Sequence, residues 1–290
     1  MSRMVLDDEM WSRLETVGWF NFNGNLNIGL VLRTMRIERG IAEIRVGATL
    51  LYDSDPQAEE QETHLKASAF LDLLREPPAH ITKVASLAHS GRGQKVLLID
   101  HQDSFVHTLA NYIRQTGAQV TTVRNEYALE YLNKFNYDLV LLSLGPGKPQ
   151  DFNLSHTIQS VIEKNIPLFG VCLGLQGIVE YFGGVLDILD YPVHGKPSVI
   201  KVLNNTNIFA GFDKTFVAGR YHSLYARKEK MPEVLDVTAI SEDGVVMAVS
   251  HRTLPIHAVQ FHPETILSLP NQAGLRIIIN VMNLVKKHAR

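Results

Sequence analysis

The chain has only one cysteine, Cys172, among its 290 residues, so it can form no internal disulfide bond. Disulfides persist in oxidising compartments, and we therefore expect a reducing, cytoplasmic location. The N-terminal residues also lack the apolar run of a signal peptide. No stretch approaches the ~20 consecutive apolar residues that a membrane-spanning helix needs, which predicts that the chain has no membrane partner.

An excess of charge of either sign is also absent. The 28 basic and 30 acidic residues give a formal net charge of -2, and there is no basic block. A nucleic-acid partner is therefore not expected, because such partners are bound through clustered Lys and Arg. No Cys/His cluster has the spacing of a metal site, so we predict no bound metal. Hydrophobic residues make up 45% of the chain, which is ordinary for a globular protein with a core.

The pattern of the sequence divides the chain into three segments. Periodic patterning stops near residue 76, where two prolines and the run SGRGQ favour a linker. We therefore predict an N-terminal fragment over residues 1–75, a linker over 76–94 and a C-terminal domain over 95–290.

The N-terminal fragment has the pattern of β-structure followed by one helix. Three β-like stretches fill residues 17–52, separated by turn signals at Asn23-Gly24 and at Arg39-Gly40. Pro56 then opens a helix with acidic residues in its first turns. Three strands and one helix enclose so apolar a set of strands poorly, and we expect exposed strand edges if the fragment stands alone.

Strands and helices alternate after the linker. The short apolar runs KVLLID, DLVLL and PLFGV are typical of strands that are buried on both faces. Helical stripes lie between them, one with Leu109 and Ile113 and another with Leu154 and Ile158. This alternation predicts an α/β fold with a mainly parallel sheet flanked by helices on both faces. Ligands bind such folds at the carboxyl ends of the strands, so the loops there are the first candidates for a functional site.

The only cysteine lies in the run Gly170-Val171-Cys172-Leu173-Gly174, directly after the strand PLFGV and before a helical segment. A nucleophile on a tight strand–turn–helix elbow has this pattern, with a glycine on each side because the bend leaves no room for a Cβ. The N-terminus of the following helix favours the thiolate, which is the reactive form. A lone cysteine is more often an inert buried residue, but the flanking glycines favour a nucleophile here.

Two further runs carry groups that a cysteine nucleophile needs. The loop SLGPGKP, from Ser143 to Pro149, follows the strand DLVLL, and its backbone N–H groups can point at a developing oxyanion together with that of Leu173. In the run QFHPE, Glu264 follows His262 by two residues, and side chains at i and i+2 of an extended chain point the same way. Glu264 would then hold the tautomer of His262, which would take the cysteine proton and deliver it to a leaving group. Alone, the first run is typical of a plain glycine–proline loop and the second of a surface pair.

Four motifs, SLGPGKP, GVCLGLQG, GRYHSL and AVQFHPE, resemble in order and spacing the motif set of the class I glutamine amidotransferases. The resemblance covers roughly residues 95–290. It implies a flavodoxin-like fold and hydrolysis of glutamine through a cysteine, without a metal or organic cofactor. It implies that Cys172, His262 and Glu264 form a catalytic triad. It also implies that glutamine and the oxyanion are bound by Gly145, Pro146, Gly147, Leu173, Gln176, Ser223 and Leu224.

Both ends of the chain resemble parts of anthranilate synthase, in which ammonia from glutamine is passed to chorismate. The run HGKPS at 194–198 is similar to that branch of the amidotransferases, and residues 1–75 resemble the C-terminal end of the chorismate-binding synthase through VGWFNFNG, VLRT, VGATLLYDSDP and EEQETHLKA. This order resembles the fused, single-chain enzyme. The resemblance implies chorismate contacts at Arg33 and Lys66 and a Mg²⁺ ligand at Glu62. Most of the synthase is missing, so we expect a separate chorismate-utilising synthase chain to use the ammonia and any Mg²⁺.

Alternatives remain open on the sequence alone. The glutaminase of aminodeoxychorismate synthase, in the folate pathway, shares nearly all these motifs. A non-catalytic remnant of a truncated fused synthase is an explanation of a different class. In the N-terminal fragment, Arg33, Glu62 and Lys66 fit an exposed strand charge and a solvated helix face equally well.

Two positions depart from the family pattern. Leu144 and Leu175 stand where proline and where histidine or methionine are usual, which affects the geometry of the site rather than its chemistry. The histidines outside the triad have simpler interpretations. We expect them to pack or to position backbone rather than to transfer protons: His101, His107, His194 and His222.

The shortness of the synthase fragment generates a testable prediction. The purified 290-residue chain should form no anthranilate from chorismate, even with ammonia and Mg²⁺ in excess. The single carboxylate of Glu62 is a weak site for Mg²⁺, which prefers near-octahedral oxygen coordination and releases its waters reluctantly. Adding ammonia directly bypasses the glutaminase and tests the N-terminal fragment by itself. Anthranilate fluorescence above a no-protein control, in a preparation free of any other synthase, would contradict the prediction.

Overall fold

A computed structural model describes residues 90–205 and 207–288 of the chain. In the N-terminal region it describes residues 16–20, 26–30, 35–38, 41–44, 55–57, 60, 61, 63, 64, 67, 68 and 71. The chain forms two compact units, residues 1–82 and residues 83–290. Three residues that the resemblance linked to chorismate and Mg²⁺ lie outside the described parts: Arg33, Glu62 and Lys66.

The described part of the N-terminal unit contains two antiparallel strand pairs. Its strands are β1 (Thr16–Phe20), β2 (Leu26–Leu30), β3 (Met35–Glu38) and β4 (Ile41–Ile44). β1 pairs with β2 and β3 pairs with β4, on either side of the two predicted turns. The stretch 26–37, predicted as one strand, instead contains β2 and β3, which lie in separate two-stranded sheets. Helical residues begin at Pro56, as the sequence predicted.

The described residues of the C-terminal unit form nine strands and five α-helices. The strands are β5 (Lys95–Asp100), β6 (Gln119–Arg124), β7 (Leu139–Leu142), β8 (Leu168–Val171), β9 (Leu186–Val202), β10 (Thr215–Ala226), β11 (Leu235–Ser241), β12 (Val246–His251) and β13 (Ile256–Val259). The helices are α1 (Val106–Gln115), α2 (Ala128–Lys134), α3 (Leu154–Glu163), α4 (Leu173–Tyr181) and α5 (Ala273–His288). In the described parts of the chain, no helix combines the length and the apolar character that a bilayer crossing requires.

All nine strands form one sheet, in the order β10-β9-β11-β12-β13-β8-β7-β5-β6. The strands β6, β5, β7, β8 and β13 are parallel to one another. Numbered along the chain, their spatial order is 2-1-3-4-5, which is the order of flavodoxin-like folds. The predicted parallel α/β core is therefore confirmed. The remaining four strands extend the sheet through antiparallel pairs, an extension that the sequence pattern did not predict.

Helices cover both faces of the parallel part, which explains its unbroken apolar strands. Val96 and Leu98 of β5 are buried in one core with α1 and α5. Leu97 and Ile99 are buried in a second core with α2, α3 and α4. Because successive residues of a strand point to opposite faces, a strand between two such cores needs apolar side chains at every position.

Residues 90–94, which the sequence assigned to the linker, pack into the C-terminal unit. The backbone N–H of Gly91 donates to the carbonyl of Thr116 (2.8 Å). Nε2 of Gln94 donates to the carbonyl of Met282 in α5 (3.1 Å). These buried polar groups find their partners only against the folded domain, so the last five residues of the predicted linker are held there.

The long antiparallel pair of β9 and β10 shows why the extension escaped sequence analysis. Pro192 and Pro197 lie within β9, and proline argues against a strand because it has no N–H to donate to the ladder. In the structure β9 pairs with β10 along most of its length, but with β11 only at residues 200–202. Both prolines therefore lie where β9 has a single neighbouring strand and fewer ladder bonds to satisfy.

The elbow between β8 and α4 is packed so closely that two glycines are required. A Cβ on Gly170 would lie 2.7 Å from the backbone carbonyl carbon of Gly174. A Cβ on Gly174 would lie 2.6 Å from the carbonyl oxygen of Leu142 in β7. Carbon atoms in contact normally stay about 3.5–4.0 Å apart. The prediction that both glycines around Cys172 are needed for lack of space is confirmed.

A substitution of Gly174 tests this constraint. Gly174→Ala should lower the free energy of unfolding by about 1–3 kcal/mol, because an added methyl group in a filled site forces its neighbours to shift. Gly177→Ala, one turn along α4, is the matched control, since its Cβ would meet only side-chain atoms of Leu154, the nearest at 3.2 Å. Alanine is also the better helix former there, by ~1 kcal/mol. Equal free energies of unfolding by urea for the two variants would contradict the close packing.

Candidate active site at the carboxyl ends of the parallel strands

Cys172 occupies the turn between β8 and α4 in a strained backbone conformation. Its φ of 53° with ψ of -100° lies outside the helical and extended regions. Such a conformation costs about 1–3 kcal/mol in a residue other than glycine, so the surroundings must hold it in place. The N–H of Cys172 donates to the carbonyl of Val259 in β13 (2.8 Å), and its own carbonyl accepts from the N–H of Gln176 (3.1 Å). The sulfur is thereby fixed at the N-terminus of α4, where the first N–H groups lack partners within the helix.

The loop after β7 packs directly against this elbow. A Cβ on Gly145 would lie 2.7 Å from Cδ2 of Leu173 and 2.6 Å from the carbonyl oxygen of His101, so only glycine fits. Gly147 has a φ of 68°, and a Cβ there would meet the carboxylate of Asp151. Pro146 lies between them on the exposed side of the loop. The predicted oxyanion loop therefore packs against the side chain of Leu173, the first residue of α4.

His262 and Glu264 form a buried pair just beyond β13. Nδ1 of His262 donates to Oε1 of Glu264 across 2.8 Å, and the two residues are only 2% exposed. A carboxylate only accepts hydrogen bonds, which places the hydrogen on Nδ1 and leaves Nε2 for another partner. The pairing predicted from sequence is present, but through a turn at residues 263–264 rather than an extended chain.

The backbone of His262 is anchored on every side. Its N–H donates to the carbonyl of Gly219 in β10 (2.9 Å). Its carbonyl accepts from the hydroxyls of Ser268 (2.6 Å) and Thr265 (3.1 Å). Ser268 in turn accepts from the N–H of Gly219 (3.0 Å). The imidazole is thus placed by the antiparallel extension as well as by β13.

The charge on His262 results from two opposed effects. Burial lowers its pKa, but the carboxylate of Glu264 and the neighbouring Cys172 raise the pKa more strongly, to about 10. The residue is therefore an imidazolium at neutral pH. Because the folded pKa exceeds the ordinary histidine value of 6.5, this proton stabilises the fold at neutral pH, and that contribution is lost as the pH rises through the folded value.

Aromatic rings enclose the imidazolium. The ring of Tyr221 lies 5.0 Å from that of His262, and the ring of Phe105 lies 6.4 Å away. Phe105 and Tyr221 also contact each other, at 5.6 Å. These contacts pack the ring of His262 against Phe105, just before α1, and against Tyr221 of β10.

The remaining predicted residues lie at or next to the C-terminal part of β10: Ser223 and Leu224 are in this strand, and Gln176 of α4 contacts it. Nε2 of Gln176 donates to the carbonyl of Leu224 (3.0 Å). Oγ of Ser223 lies within hydrogen-bond distance of Nε2 of His194 (3.2 Å), which joins the HGKPS run to the site. The two family departures, Leu144 and Leu175, are both fully buried core residues.

Two functional candidates, Gln260 and Arg220, escaped the sequence analysis. Gln260 is completely buried, and its Nε2 donates to Sγ of Cys172 across 3.4 Å. Behind it, Nε of Arg220 donates to Nε2 of His222 (3.1 Å), whose Nδ1 donates to the carbonyl of Leu224 (2.9 Å). Gln260 lies in the motif AVQFHPE and Arg220 in GRYHSL, and this position was the only sequence signal for either residue. His222 does position backbone, as predicted.

The other histidine interpretations also depend on burial. His101 is 1% exposed, and burial lowers its pKa to about 4, so it packs as a neutral ring. His107 lies on the exposed side of α1. Within the described residues, no group of three or more His, Cys, Asp or Glu side chains has a geometry suited to a metal ion.

Two protein families match this chain. Residues 97–280 match the glutamine amidotransferase class-I family, and residues 16–72 match the family of chorismate binding enzymes. The first match covers the whole site described above. The second covers the described strands of the N-terminal unit.

Similar proteins include one from Azospirillum brasilense and one from Arabidopsis thaliana. The chain is 53% identical over 267 residues to an anthranilate synthase of Azospirillum brasilense, covering 92% of this chain but only 36% of that protein's length. It is 42% identical over 200 residues to the chloroplastic anthranilate synthase beta subunit 1 of Arabidopsis thaliana, covering 66% of this chain and 71% of the relative. A solved structure from Thermoplasma acidophilum, described as a GMP synthase protein, shares the fold at a TM-score of 0.61 and 24% identity, covering 68% of this chain and 96% of that one.

The charge balance at His262 can be tested through Glu264. Glu264→Gln keeps an acceptor for Nδ1 but removes the negative charge, so the pKa of His262 should fall by about one to three units. Titration of the imidazole signals by NMR measures this value directly. Glu163→Gln, which neutralises an exposed carboxylate of α3, is the control and should leave the titration unchanged. An unaltered His262 titration in Glu264→Gln would show that the carboxylate does not support the charge.

Proposed function

Because this chain belongs to the class-I glutamine amidotransferase family, we propose that Cys172, His262 and Glu264 hydrolyse glutamine and release ammonia for the synthesis of anthranilate from chorismate. The family is one of enzymes, and the matched residues 97–280 include the whole candidate site. The chain spans about a third of the length of the Azospirillum relative, and the use of the ammonia is part of this proposal.

The strongest support is the environment of the only cysteine. Its sulfur lies on a strained elbow, accepts a hydrogen bond from Gln260 and neighbours the imidazolium of His262. A positive charge and a helix N-terminus beside a cysteine favour the thiolate, which is the nucleophilic form. An inert buried cysteine needs none of these features.

In the first half of the reaction, the thiolate attacks the side-chain carbonyl carbon of glutamine. The carbonyl π electrons move to oxygen, and N–H groups of Leu173 and of the loop at Gly145 and Gly147 stabilise that oxyanion. When the intermediate collapses, the C–N bond breaks and Nε2–H of the imidazolium protonates the leaving nitrogen. Ammonia departs, and a glutamyl thioester and a neutral His262 remain.

In the second half, water attacks the thioester. Neutral His262 takes a proton from the water, the C–S bond breaks, and glutamate leaves. The thiolate and the imidazolium are thereby restored. Glu264 transfers no proton in either half, because its role is to hold Nδ1–H and to balance the imidazolium charge.

We assign the binding of glutamine to the walls around the sulfur. We assign this role to Gly145, Pro146 and Gly147 of the loop after β7 and to Ser223 and Leu224 of β10, with Gln176 joining α4 to Leu224. Each step above uses only side chains and backbone N–H groups, so this half-reaction needs no metal or organic cofactor. Any Mg²⁺ belongs to the chorismate-utilising centre.

We place that centre on a separate, complete synthase chain. The Arabidopsis relative is named as a beta subunit, which supports a two-chain arrangement for the glutaminase part. The relatives' names support anthranilate synthesis over the aminodeoxychorismate alternative. The match of residues 16–72 to chorismate binding enzymes fits both, because both synthases use chorismate. The order of the two family matches, chorismate binding before glutamine amidotransferase, is similar to that of a fused enzyme.

Removal of the nucleophile tests the proposal. Cys172→Ala should abolish glutamine hydrolysis, measured as glutamate release, because no other thiol exists in the chain. Mixed with a complete anthranilate synthase large subunit, the variant should still support anthranilate formation from ammonia but not from glutamine. The ammonia reaction is the internal control for folding and assembly. Glutamate release by Cys172→Ala, at the wild-type rate, would overturn the assignment.

A further inference from the structure

The side chain of Gln260 lies between Cys172 and Gln176 and forms a hydrogen bond with each. Its Nε2 donates to Sγ of Cys172 (3.4 Å), while its Oε1 accepts from Nε2 of Gln176 (3.3 Å). The side chain is completely buried, and the N–H of its backbone donates to the carbonyl of Met247 in β12 (2.8 Å). Both ends of the amide are therefore engaged in a site closed to solvent.

The orientation of this amide is determined by its neighbour. Nε2 of Gln176 also donates to the carbonyl of Leu224 (3.0 Å), so Gln176 presents a donor, and only the oxygen of Gln260 can accept from it. The NH₂ group of Gln260 must then point at the sulfur. A flipped amide would place two donors together at Gln176 and a carbonyl oxygen against the thiolate.

A chain of buried and partly buried hydrogen bonds leads from the Leu224 carbonyl to the exposed Asp243. The carbonyl of Leu224 accepts a second bond, from Nδ1 of His222 (2.9 Å). Nε2 of His222 accepts from Nε of Arg220 (3.1 Å), whose Nη1 donates to both carboxylate oxygens of Asp243 (2.9 and 3.0 Å). Burial, followed by the charge of Arg220, lowers the pKa of His222 to about 4, so the ring is neutral and can accept this bond.

We propose that Gln260 is a further catalytic residue, whose amide N–H stabilises the thiolate of Cys172, and that the relay Asp243–Arg220–His222–Leu224–Gln176 positions that amide. The inference rests on the proposed role of Cys172 as a nucleophile. Its physical basis is separate from that of His262, because an amide donates a hydrogen bond without giving up a proton.

His262 changes its protonation state during the proposed reaction, whereas Gln260 does not. After His262 has protonated the leaving nitrogen, it stays neutral until it takes a proton from the attacking water. Gln260 keeps its donor throughout, so it favours the thiolate as leaving group when water opens the thioester. Donors that are oriented in advance in a site shielded from water stabilise charge without reorganisation.

The pH dependence of alkylation tests the inference without using glutamine. Cys172 is the only thiol, so the rate of its reaction with iodoacetamide across the acidic and neutral range reports the thiolate fraction directly. Gln260→Met keeps the length of the side chain but has no donor. The midpoint of its alkylation profile should rise by about one pH unit, so that alkylation below the midpoint slows about tenfold.

A second variant and a matched control make the experiment decisive. Gln260→Glu retains an acceptor for Gln176 but turns an oxygen toward the sulfur, and should raise the midpoint further. Gln94→Met makes the same change at another buried glutamine, one that bonds Met282 rather than Cys172, and should leave the midpoint unchanged. Thermal unfolding of each variant checks the fold, and Gln260→Glu serves if Gln260→Met does not fold.

The outcomes separate this inference from the proposed function. An alkylation midpoint for both Gln260 variants equal to that of wild type and Gln94→Met would overturn the role of Gln260. A shifted midpoint in a chain whose wild type releases no glutamate from glutamine would instead overturn the glutaminase and leave the Gln260–thiolate contact standing. A shifted midpoint with a matching loss of glutamate release supports both.

Discussion

The site depends on one steric constraint, the close approach of three backbones at the elbow between β8 and α4. Gly170 and Gly174 leave no room for a Cβ, and this contact draws the start of α4 against β7. Cys172 is thereby held at a φ of 53°, with its sulfur at the carboxyl edge of the sheet. Because the elbow lies between β7 and β13, the loop at Gly145 and the buried His262 both reach it. The chemistry follows from that packing.

Burial lowers the pKa of His101, His222 and His262, and the charged and hydrogen-bonding partners of each ring decide whether it stays protonated. His101 and His222 lose their charge because desolvation dominates, which lowers the pKa of each to about 4. His262 is as deeply buried, yet the carboxylate of Glu264 outweighs the same cost and raises its pKa. A neutral ring can accept the bond from Arg220, whereas a charged ring can support a thiolate. One residue type thus serves as a positioning group and, in the proposed mechanism, as a proton donor within a single site.

The antiparallel half of the sheet contributes as much to the site as the parallel half. β10 supplies Gly219, which anchors His262, and Tyr221, which lies against its ring. The same strand supplies the Leu224 carbonyl that Gln176 and His222 share. A flavodoxin-like core alone would present the cysteine without these supports. The function of the family therefore rests on the extension as well as on the core, and the core by itself is shared with many unrelated activities.

Local patterns in the sequence determined the parallel core and the elbow, and they pointed to the groups proposed here as reactive. Apolar runs such as KVLLID report burial on two faces, and the glycines around Cys172 report a bend, because both effects act over a few neighbouring residues. Only the tertiary structure decided the rest. The prolines of β9 obscured a strand whose paired residues in β10 lie between 14 (Lys201 with Thr215) and 40 (Leu186 with Ala226) positions away, and Gln260 meets Cys172 across a separation of 88 residues. No local pattern encodes which buried donor faces a given sulfur, because that contact is set by how distant strands pack.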